Sequence, residues 1–168
     1  MSKTYEDLQA AFSGESQANR KYLAYAEKAD QDGYPQAAKL FRAAAAAETV
    51  HAHNHFRAMG AVKSTADNLK DDISGENYKV ITMYPDFLED AKAEGENKKA
   101  IRSFEFALAV EKTHEALYTE MLENLEESKD VESVDYYICE VCGHTHVGEA
   151  PDECPVCGAL KNRFFKVD

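Results

Sequence analysis

Two residue pairs with the same spacing are the first candidates for chemistry. Glu48 is followed three positions later by His51, and Glu111 is followed at the same interval by His114. On an α-helix, positions i and i+3 differ by about 60° in direction and lie about one turn apart, so both side chains can reach one metal-sized cavity. Carboxylate and imidazole groups are ligands for divalent transition metals. Each pair therefore predicts half of a metal site.

Glutamates on apolar helix faces extend this pattern. One such glutamate occurs in each of four segments with a helical period: Glu15, Glu48, Glu76 and Glu111. A lone buried carboxylate would cost several kcal/mol, so four in equivalent places indicate ligands better than a chance alignment of solvated glutamates. The order of a glutamate helix followed by a Glu-x-x-His helix occurs twice, as in di-iron and di-manganese carboxylate bundles. Oxygen-rich ligation with imidazole suits iron or manganese better than structural zinc.

Helical geometry separates the three neighbouring histidines of the second segment. His51 lies about 60° from Glu48, whereas His53 lies about 140° away and is expected to point outward. His55 shares the apolar face but lies about 10 Å along the axis, which favours a packed or supporting role over ligation.

Local sequence signals define the elements that must position these ligands. Pro35 suits the first turn of a helix, and glycines follow the first three segments. Pro85 predicts a kink or local unwinding about one turn before it. A polar connection with room for one short helix precedes the third segment, whose inner face is predicted to carry Glu76, Val80, Met83, Phe87 and Ala91. The first predicted helix ends at Gly33. The other three run from Pro35 to Gly60, from about Glu76 to Glu94 and from about Asn97 to Ser128. Four such helices favour an antiparallel four-helix bundle.

The last 30 residues contain two C-x-x-C pairs separated by eleven residues. Gly143 and Gly158 follow the pairs, where a positive φ allows a tight turn around a metal. The spacing predicts a tetrahedral four-thiolate site in a reducing compartment, although two disulfides would be arguable in an oxidising one. The cysteines alone favour zinc and leave iron open. The four predicted ligands are Cys139, Cys142, Cys154 and Cys157.

Composition excludes several classes of partner. The 168 residues carry a net charge of -12, which disfavours binding to a phosphate backbone or to anionic lipid. The sequence has neither an apolar stretch long enough to span a membrane nor a secretory N-terminal pattern. We therefore expect a cytoplasmic protein that binds neither nucleic acid nor membrane.

With both halves considered, the sequence resembles the rubrerythrin family along essentially its whole length. The resemblance is carried by the segment 11–56, by "GENYKVITMYPDF", by "FALAVEKTHEALY" and by "YICEVCGHTHVGEAPDECPVCGA". It implies an all-α, ferritin-like four-helix bundle in residues 1–130, a linker in 131–135, and a small metal-stapled β/loop, rubredoxin-like domain in 136–168.

The resemblance also implies cofactors and an activity. The six glutamate and histidine ligands would hold two irons, and the four cysteines would hold one redox-active iron in an FeS4 centre. Tyr22 and Tyr84 match tyrosines that approach the ligand carboxylates. The implied activity is reduction of H2O2 by a homodimer in which the FeS4 centre of one subunit serves the di-iron site of the other. A separate reductase would supply electrons that originate from NAD(P)H.

One position departs from the family pattern. Lys79 occupies the place of a glutamate that usually binds one iron in the oxidised state and is exchanged for a histidine on reduction. With Lys79 there, one account is that the four glutamates and two histidines remain as the ligand set and His51 stays bound. The alternative account is that the lysine extends to solvent while a water takes the coordination position. This substitution motivates a second hypothesis, an O2-dependent oxidase or ferroxidase. A third hypothesis is a non-catalytic metal-binding protein with a zinc ribbon.

Overall fold

The structure is a computed structural model that describes residues 2–95, 97–127 and 133–168. Most described residues are helical, and a small sheet lies near the C terminus. The predicted class of helices followed by a small β/loop module is confirmed. Within the described ranges, no helix combines the length and the apolar character needed to cross a bilayer. The chain divides into two compact units, one up to Lys63 and one from Ser64 onward.

The first unit is a pair of long helices. Helix α1 spans Lys3–Gln31 and helix α2 spans Pro35–Ala58. Gly33 has a φ of 80° between them, a conformation that glycine adopts without a steric penalty, and Pro35 occupies the first helical turn. The local signals therefore predicted both ends of the connection correctly.

Contacts between α1 and α2 fix the register of their ligands. The rings of Phe12 and Phe56 stack with centroids 4.8 Å apart. The Asn19 amide donates to the Ala45 carbonyl at 2.7 Å and to the Thr49 hydroxyl at 2.9 Å. Small side chains allow this close approach of the two helices, and the buried ones are Ala26, Ala29, Ala38, Ala45 and Ala52.

The second unit begins with a helix that is longer than predicted. Helix α3 spans Thr65–Tyr78, so it begins eleven residues before the predicted start near Glu76. The Ser64 hydroxyl accepts a hydrogen bond from the Asp67 backbone N–H at 3.1 Å, as an N-cap residue does. The predicted short helix in the polar connection is thus the first part of α3. The sequence signal for the start of α3 is Ser64, followed three residues later by Asp67.

A π-helical turn separates α3 from the next helix. It spans Lys79–Met83, and helix α4 follows as Tyr84–Ala93. The Tyr84 backbone N–H donates to the carbonyl of Lys79, five residues earlier. Pro85 lacks an N–H and its ring would clash in a regular helix, which gives a physical reason for the wider turn. The predicted local unwinding before Pro85 is confirmed.

The wide turn changes which residues of α4 are buried. Leu88 is 9% exposed, whereas Phe87 is 41% exposed. The predicted inner position of Phe87 is therefore right for its contact, because its ring lies 5.6 Å from that of Phe104 on α5, and wrong for its burial. The prediction assumed a regular helix, and a π turn adds one residue to the turn, which makes Leu88 the more buried residue.

Helix α5 spans Lys98–Glu126, and the Asn97 side chain caps its first turn. Two contacts join it to α3. The Asn77 amide donates to the Glu115 carboxylate at 2.8 Å, and the Lys70 ammonium lies 2.8 Å from Glu126. Several predicted boundaries lie outside the described residues. They are the helix end at Ser128, the domain limits at 130 and 131, and the first two linker residues.

The cysteine module, residues 136–168, contains a small antiparallel sheet. Its strands are β1 (Tyr136–Cys139), β2 (Thr145–Val147) and β3 (Phe164–Val167), in the order β2-β1-β3. A 3₁₀ turn at Lys161–Arg163 leads into β3. Cys139 ends β1 and Cys142 lies in the turn that follows, whereas Cys154 and Cys157 lie in the segment between β2 and β3.

Candidate metal centres

The first unit brings three predicted ligands together. The His51 Nδ1 atom lies 2.8 Å from a Glu48 oxygen and 3.9 Å from a Glu15 oxygen. One ligand atom from each residue lies within 4.8 Å of those from the other two. We call Glu15, Glu48 and His51 the first triad. Asn19, one turn after Glu15, bonds to Thr49 beside Glu48, so the interhelical contact aligns the two carboxylates.

The second unit forms a corresponding group, the second triad, from Glu76, Glu111 and His114. Its ligand atoms also lie within 4.8 Å of one another. The His114 Nδ1 atom is 2.8 Å from a Glu111 oxygen, the same geometry as in the first triad. Glu76 is only 8% exposed, so its carboxylate requires charged or hydrogen-bonding partners.

Lys79 supplies one of these partners. Its Nζ atom donates to Glu76 at 2.8 Å and to Glu111 at 3.3 Å. The alternative in which Lys79 extends to solvent is therefore wrong. The carboxylates of Glu76 on α3 and Glu111 on α5 bind the ammonium instead.

The carboxylates of the second triad differ in their affinity for protons. Burial raises the pKa of Glu76, and the adjacent Glu111 raises it further, against the opposing effect of Lys79. Burial opposes ionisation of Glu111 as well, but hydrogen bonds with His114, Glu76 and Lys79 lower its pKa overall. The pKa of Lys79 is raised because its carboxylate partners outweigh its desolvation. The lysine therefore carries its positive charge at neutral pH.

The second ring nitrogen of His114 contacts the cysteine module. Its Nε2 atom lies 2.9 Å from the Thr145 hydroxyl on β2. A metal ion at Nδ1 would replace the hydrogen bond with Glu111 and leave the ring proton on Nε2, where the Thr145 oxygen can accept it; a hydrogen bond at the far nitrogen commonly fixes this tautomer in metal sites. The sequence did not indicate Thr145, because the contact joins elements 31 residues apart.

Tyrosines lie near the second triad. The pKa of Tyr84 is raised by burial first and then by the charge of Glu111. Burial also raises the pKa of Tyr118, and its ring centroid is 6.4 Å from that of His114. Both phenols stay protonated at neutral pH and can donate hydrogen bonds. The sequence indicated Tyr84 by resemblance.

The remaining aromatic and histidine candidates lie in the first unit. Tyr22 packs against Tyr25 and Phe41, with ring centroids 6.4 Å away in each case. His53 is exposed and His55 is half-buried. Neither residue belongs to the first triad, as the helical geometry predicted.

The cysteine module gathers all four thiols. The Cys139 and Cys157 sulfurs are 3.6 Å apart, and those of Cys142 and Cys154 are 3.5 Å apart. A tetrahedral ion with metal–sulfur bonds of about 2.3 Å needs sulfur separations of about 3.8 Å. The arrangement therefore fits one four-thiolate metal ion.

Backbone groups around the thiols favour their ionised forms. The N–H groups of Val141 and Cys142 donate to the Cys139 sulfur and lower its pKa despite burial. For Cys142, burial outweighs the hydrogen bond from the His144 N–H, and the pKa is raised. Gly143 and Gly158 have φ values of 81° and 73°, as predicted for the two turns. A bound cation would stabilise all four thiolates.

The donor sets fit iron in both kinds of site. Each triad offers two carboxylates and one imidazole, the mixed oxygen and nitrogen ligation that suits iron or manganese. The four thiolates suit iron or zinc. Together the glutamates and histidines are groups that can bind a di-iron site. The joining of both triads in one dinuclear site remains a prediction.

Comparison with known proteins identifies the family. A model described as rubrerythrin matches residues 6–122, and one described as the rubrerythrin rubredoxin-like domain matches residues 137–165. The chain is 38% identical to rubrerythrin-2 of Clostridium acetobutylicum, covering 96% of this chain and 95% of that protein. It is 34% identical to nigerythrin of Nitratidesulfovibrio vulgaris, covering 96% of this chain and 85% of that protein.

Solved structures give the same assignment. A structure of fully reduced, all-ferrous nigerythrin matches with a TM-score of 0.59 and 31% identity, covering 99% of this chain and 88% of the other. The helices with their two Glu-x-x-His pairs and the four-cysteine module thus have relatives along their whole length. The chain belongs to the rubrerythrin family and carries that family's di-iron and rubredoxin-like domains.

Proposed function

We propose that this protein is a peroxidase that reduces H2O2 with electrons delivered through its cysteine module. The overall reaction consumes one H2O2, two electrons and two protons and yields two waters. The contact between His114 and Thr145 carries the proposal, because it joins a metal-binding triad to the redox module of the same unit. A storage protein or a simple metal buffer needs no such contact.

The chain's own residues supply ligation and protons in this reaction. Glu15, Glu48, His51, Glu76, Glu111 and His114 hold the metals. A bound iron pair would supply the two electrons that cleave the O–O bond, together with Lewis acidity toward the peroxide oxygens. Tyr84 and Tyr118 remain neutral O–H donors beside the second triad. Each can donate a hydrogen bond toward an oxygen atom that gains negative charge.

Electrons reach the second triad through a short series of contacts. The Cys142 sulfur accepts a hydrogen bond from the backbone N–H of His144. Thr145 is the next residue in the chain. The Thr145 hydroxyl contacts Nε2 of His114, and Nδ1 faces Glu111. This series lies within one chain. A separate reductase that draws on NAD(P)H is the proposed donor, and the homodimer with transfer between subunits remains a prediction from the resemblance.

A second candidate function is an O2-dependent oxidase or ferroxidase. The observation that favours it is Lys79, whose ammonium binds Glu76 and Glu111 where the family pattern has a glutamate. Such an enzyme would turn over added Fe(II) with O2 and without help from the cysteine module. A non-catalytic zinc ribbon would instead leave the purified protein colourless, whereas an oxidised FeS4 centre is red.

Rapid mixing distinguishes these functions. The fully reduced, iron-loaded protein is mixed with one equivalent of H2O2 or, separately, of O2, and oxidation of the FeS4 centre is followed by its colour. The peroxidase predicts faster oxidation by H2O2. A faster reaction with O2 would refute the peroxidase and support the oxidase. A Glu111→Gln variant, which keeps all four cysteines but lacks one carboxylate of the second triad, serves as the control for direct oxidation of the FeS4 centre.

A further inference from the structure

Lys79 occupies the space between two metal-ligating carboxylates. Its Nζ atom is 2.8 Å from Glu76 and 3.3 Å from Glu111. The side chains of these glutamates are 10% and 14% exposed, so water screens the interaction poorly. The ammonium thus uses carboxylate oxygens that a divalent cation would need.

The two triads differ in charge for this reason. The first triad has two carboxylates, and they face the imidazole of His51. The second triad also has two carboxylates and one imidazole, but Lys79 contributes a positive charge in direct contact with them. With neutral histidines, the formal charge is -2 for the first triad and -1 for the second group including Lys79. Electrostatic attraction for a divalent cation is therefore weaker at the second triad.

We propose that Lys79 is an internal counter-cation that sets the order of metal loading. The first triad binds a metal first, and the second triad binds one only when the ammonium leaves Glu76 and Glu111. The lysine stabilises the empty second triad by compensating its buried charge, and the same contacts lower its affinity for metal. This inference rests on the metal sites of the proposed function, but not on the reaction catalysed there.

Manganese titration of the full-length protein tests the proposal. The cysteine module is first filled with iron, and Mn(II) is then added to the chain with empty carboxylate sites. Mn(II) prefers oxygen and nitrogen ligands over thiolates, so it reports on the triads. Free Mn(II) is measured by electron paramagnetic resonance, and calorimetry gives the affinity of each step. The wild-type protein is expected to show two unequal steps.

Three substitutions separate charge from size. Lys79→Met removes the charge and keeps most of the bulk, and it is expected to strengthen the weaker step at least tenfold. Lys79→Arg keeps the charge and is expected to leave that step within about threefold of the wild type. Glu15→Gln removes a carboxylate of the first triad; combined with Lys79→Met, it should weaken the strong step while the gain at the weaker step persists.

Several results would overturn the proposal. They are equal affinities in the wild-type protein, a Lys79→Met variant with unchanged or weaker binding, and a Lys79→Arg variant that gains as much as Lys79→Met. Circular dichroism verifies folding, and Lys79→Gln replaces Lys79→Met if the latter does not fold. No peroxide is present, so failure of the peroxidase assignment leaves this result intact, and a failed loading order leaves the peroxidase test intact.

Discussion

The Nε2 atom of His114 lies 2.9 Å from the hydroxyl oxygen of Thr145. The other ring nitrogen faces Glu111 at 2.8 Å, so both edges of one imidazole are fixed. Groups that hydrogen-bond to a ligating histidine orient its ring and commonly affect metal affinity by about 10- to 100-fold. Thr145 is therefore a positioning residue for the second triad as well as its contact with the cysteine module.

Replacing Thr145 by valine is expected to weaken metal binding at the second triad about tenfold. Valine keeps the shape of threonine but has no hydroxyl to form a hydrogen bond with Nε2. Mn(II) titration measures the affinity, and slower oxidation of the reduced FeS4 centre after addition of H2O2 measures the electron route. Thr145→Ser retains the hydroxyl and should behave nearly as the wild type. Wild-type affinity and rate in the valine variant would exclude this role.

Replacing Glu111 by glutamine is expected to remove at least one iron per chain from the carboxylate sites. The amide is neutral and is a poorer ligand than a carboxylate. Iron analysis of protein loaded under anaerobic conditions measures the loss. Glu115→Gln is the matched control, because Glu115 lies one turn further along α5 and bonds to Asn77. Equal iron contents in the two variants would contradict the assignment of Glu111.

Replacing Cys142 by serine is expected to abolish the red colour of the iron-loaded protein. Its sulfur lies 3.5 Å from that of Cys154, and a hard oxygen ligand substitutes poorly for a thiolate. Visible absorption and iron analysis measure the loss. The neighbouring Val141→Ser is the control, since Val141 is exposed. Retention of the FeS4 spectrum in Cys142→Ser would show that another ligand completes the site.

Replacing Asn19 by alanine is expected to lower the free energy of unfolding by about 1 kcal/mol, because α1 loses its side-chain hydrogen bonds to the Ala45 carbonyl and the Thr49 hydroxyl, which stay bonded to each other. Chemical denaturation followed by circular dichroism measures the change. Gln17→Ala removes only an exposed bond to Ser13 on the same helix and should cost much less. Comparable losses in the two variants would argue against a special role for Asn19 in aligning α1 with α2.

Replacing His144 by leucine is expected to stabilise the cysteine module by about 1 kcal/mol. His144 is 8% exposed, and among the described residues neither of its ring nitrogens has a hydrogen-bond partner. An unsatisfied buried polar group costs about 1–3 kcal/mol. Unfolding followed by loss of the FeS4 colour measures stability, with His146→Leu as the control. Destabilisation by His144→Leu would indicate that the ring has a polar partner in solution.

Residues close together in sequence were predicted well because their spacing is set by the helix itself. His51 and His114 lie 2.8 Å from the glutamates three positions earlier, as the i, i+3 geometry requires. Gly33 and Pro35 marked a connection for the same local reason. The paired cysteines with their glycines also predicted the gathered thiols of the C-terminal module.

Long-range contacts could not be predicted in this way. One of the two accounts of Lys79 placed it in solvent, but it binds Glu111, which is 32 residues away. The contact of Thr145 with His114 likewise depends on the position of β2 beside α5. Such interactions follow from how elements pack, and one sequence without its fold does not specify them.

Because of the π-helical turn at Lys79–Met83, the number of residues between Glu76 and Tyr84, as well as their types, determines which side chains face the site. It acts as a one-residue insertion that resets the helical phase. In an uninterrupted helix, Met83 would lie two turns after Glu76 and share its face, but the wide turn gives that direction to Tyr84. A one-residue deletion here would leave Glu76 in place and turn the phenol away.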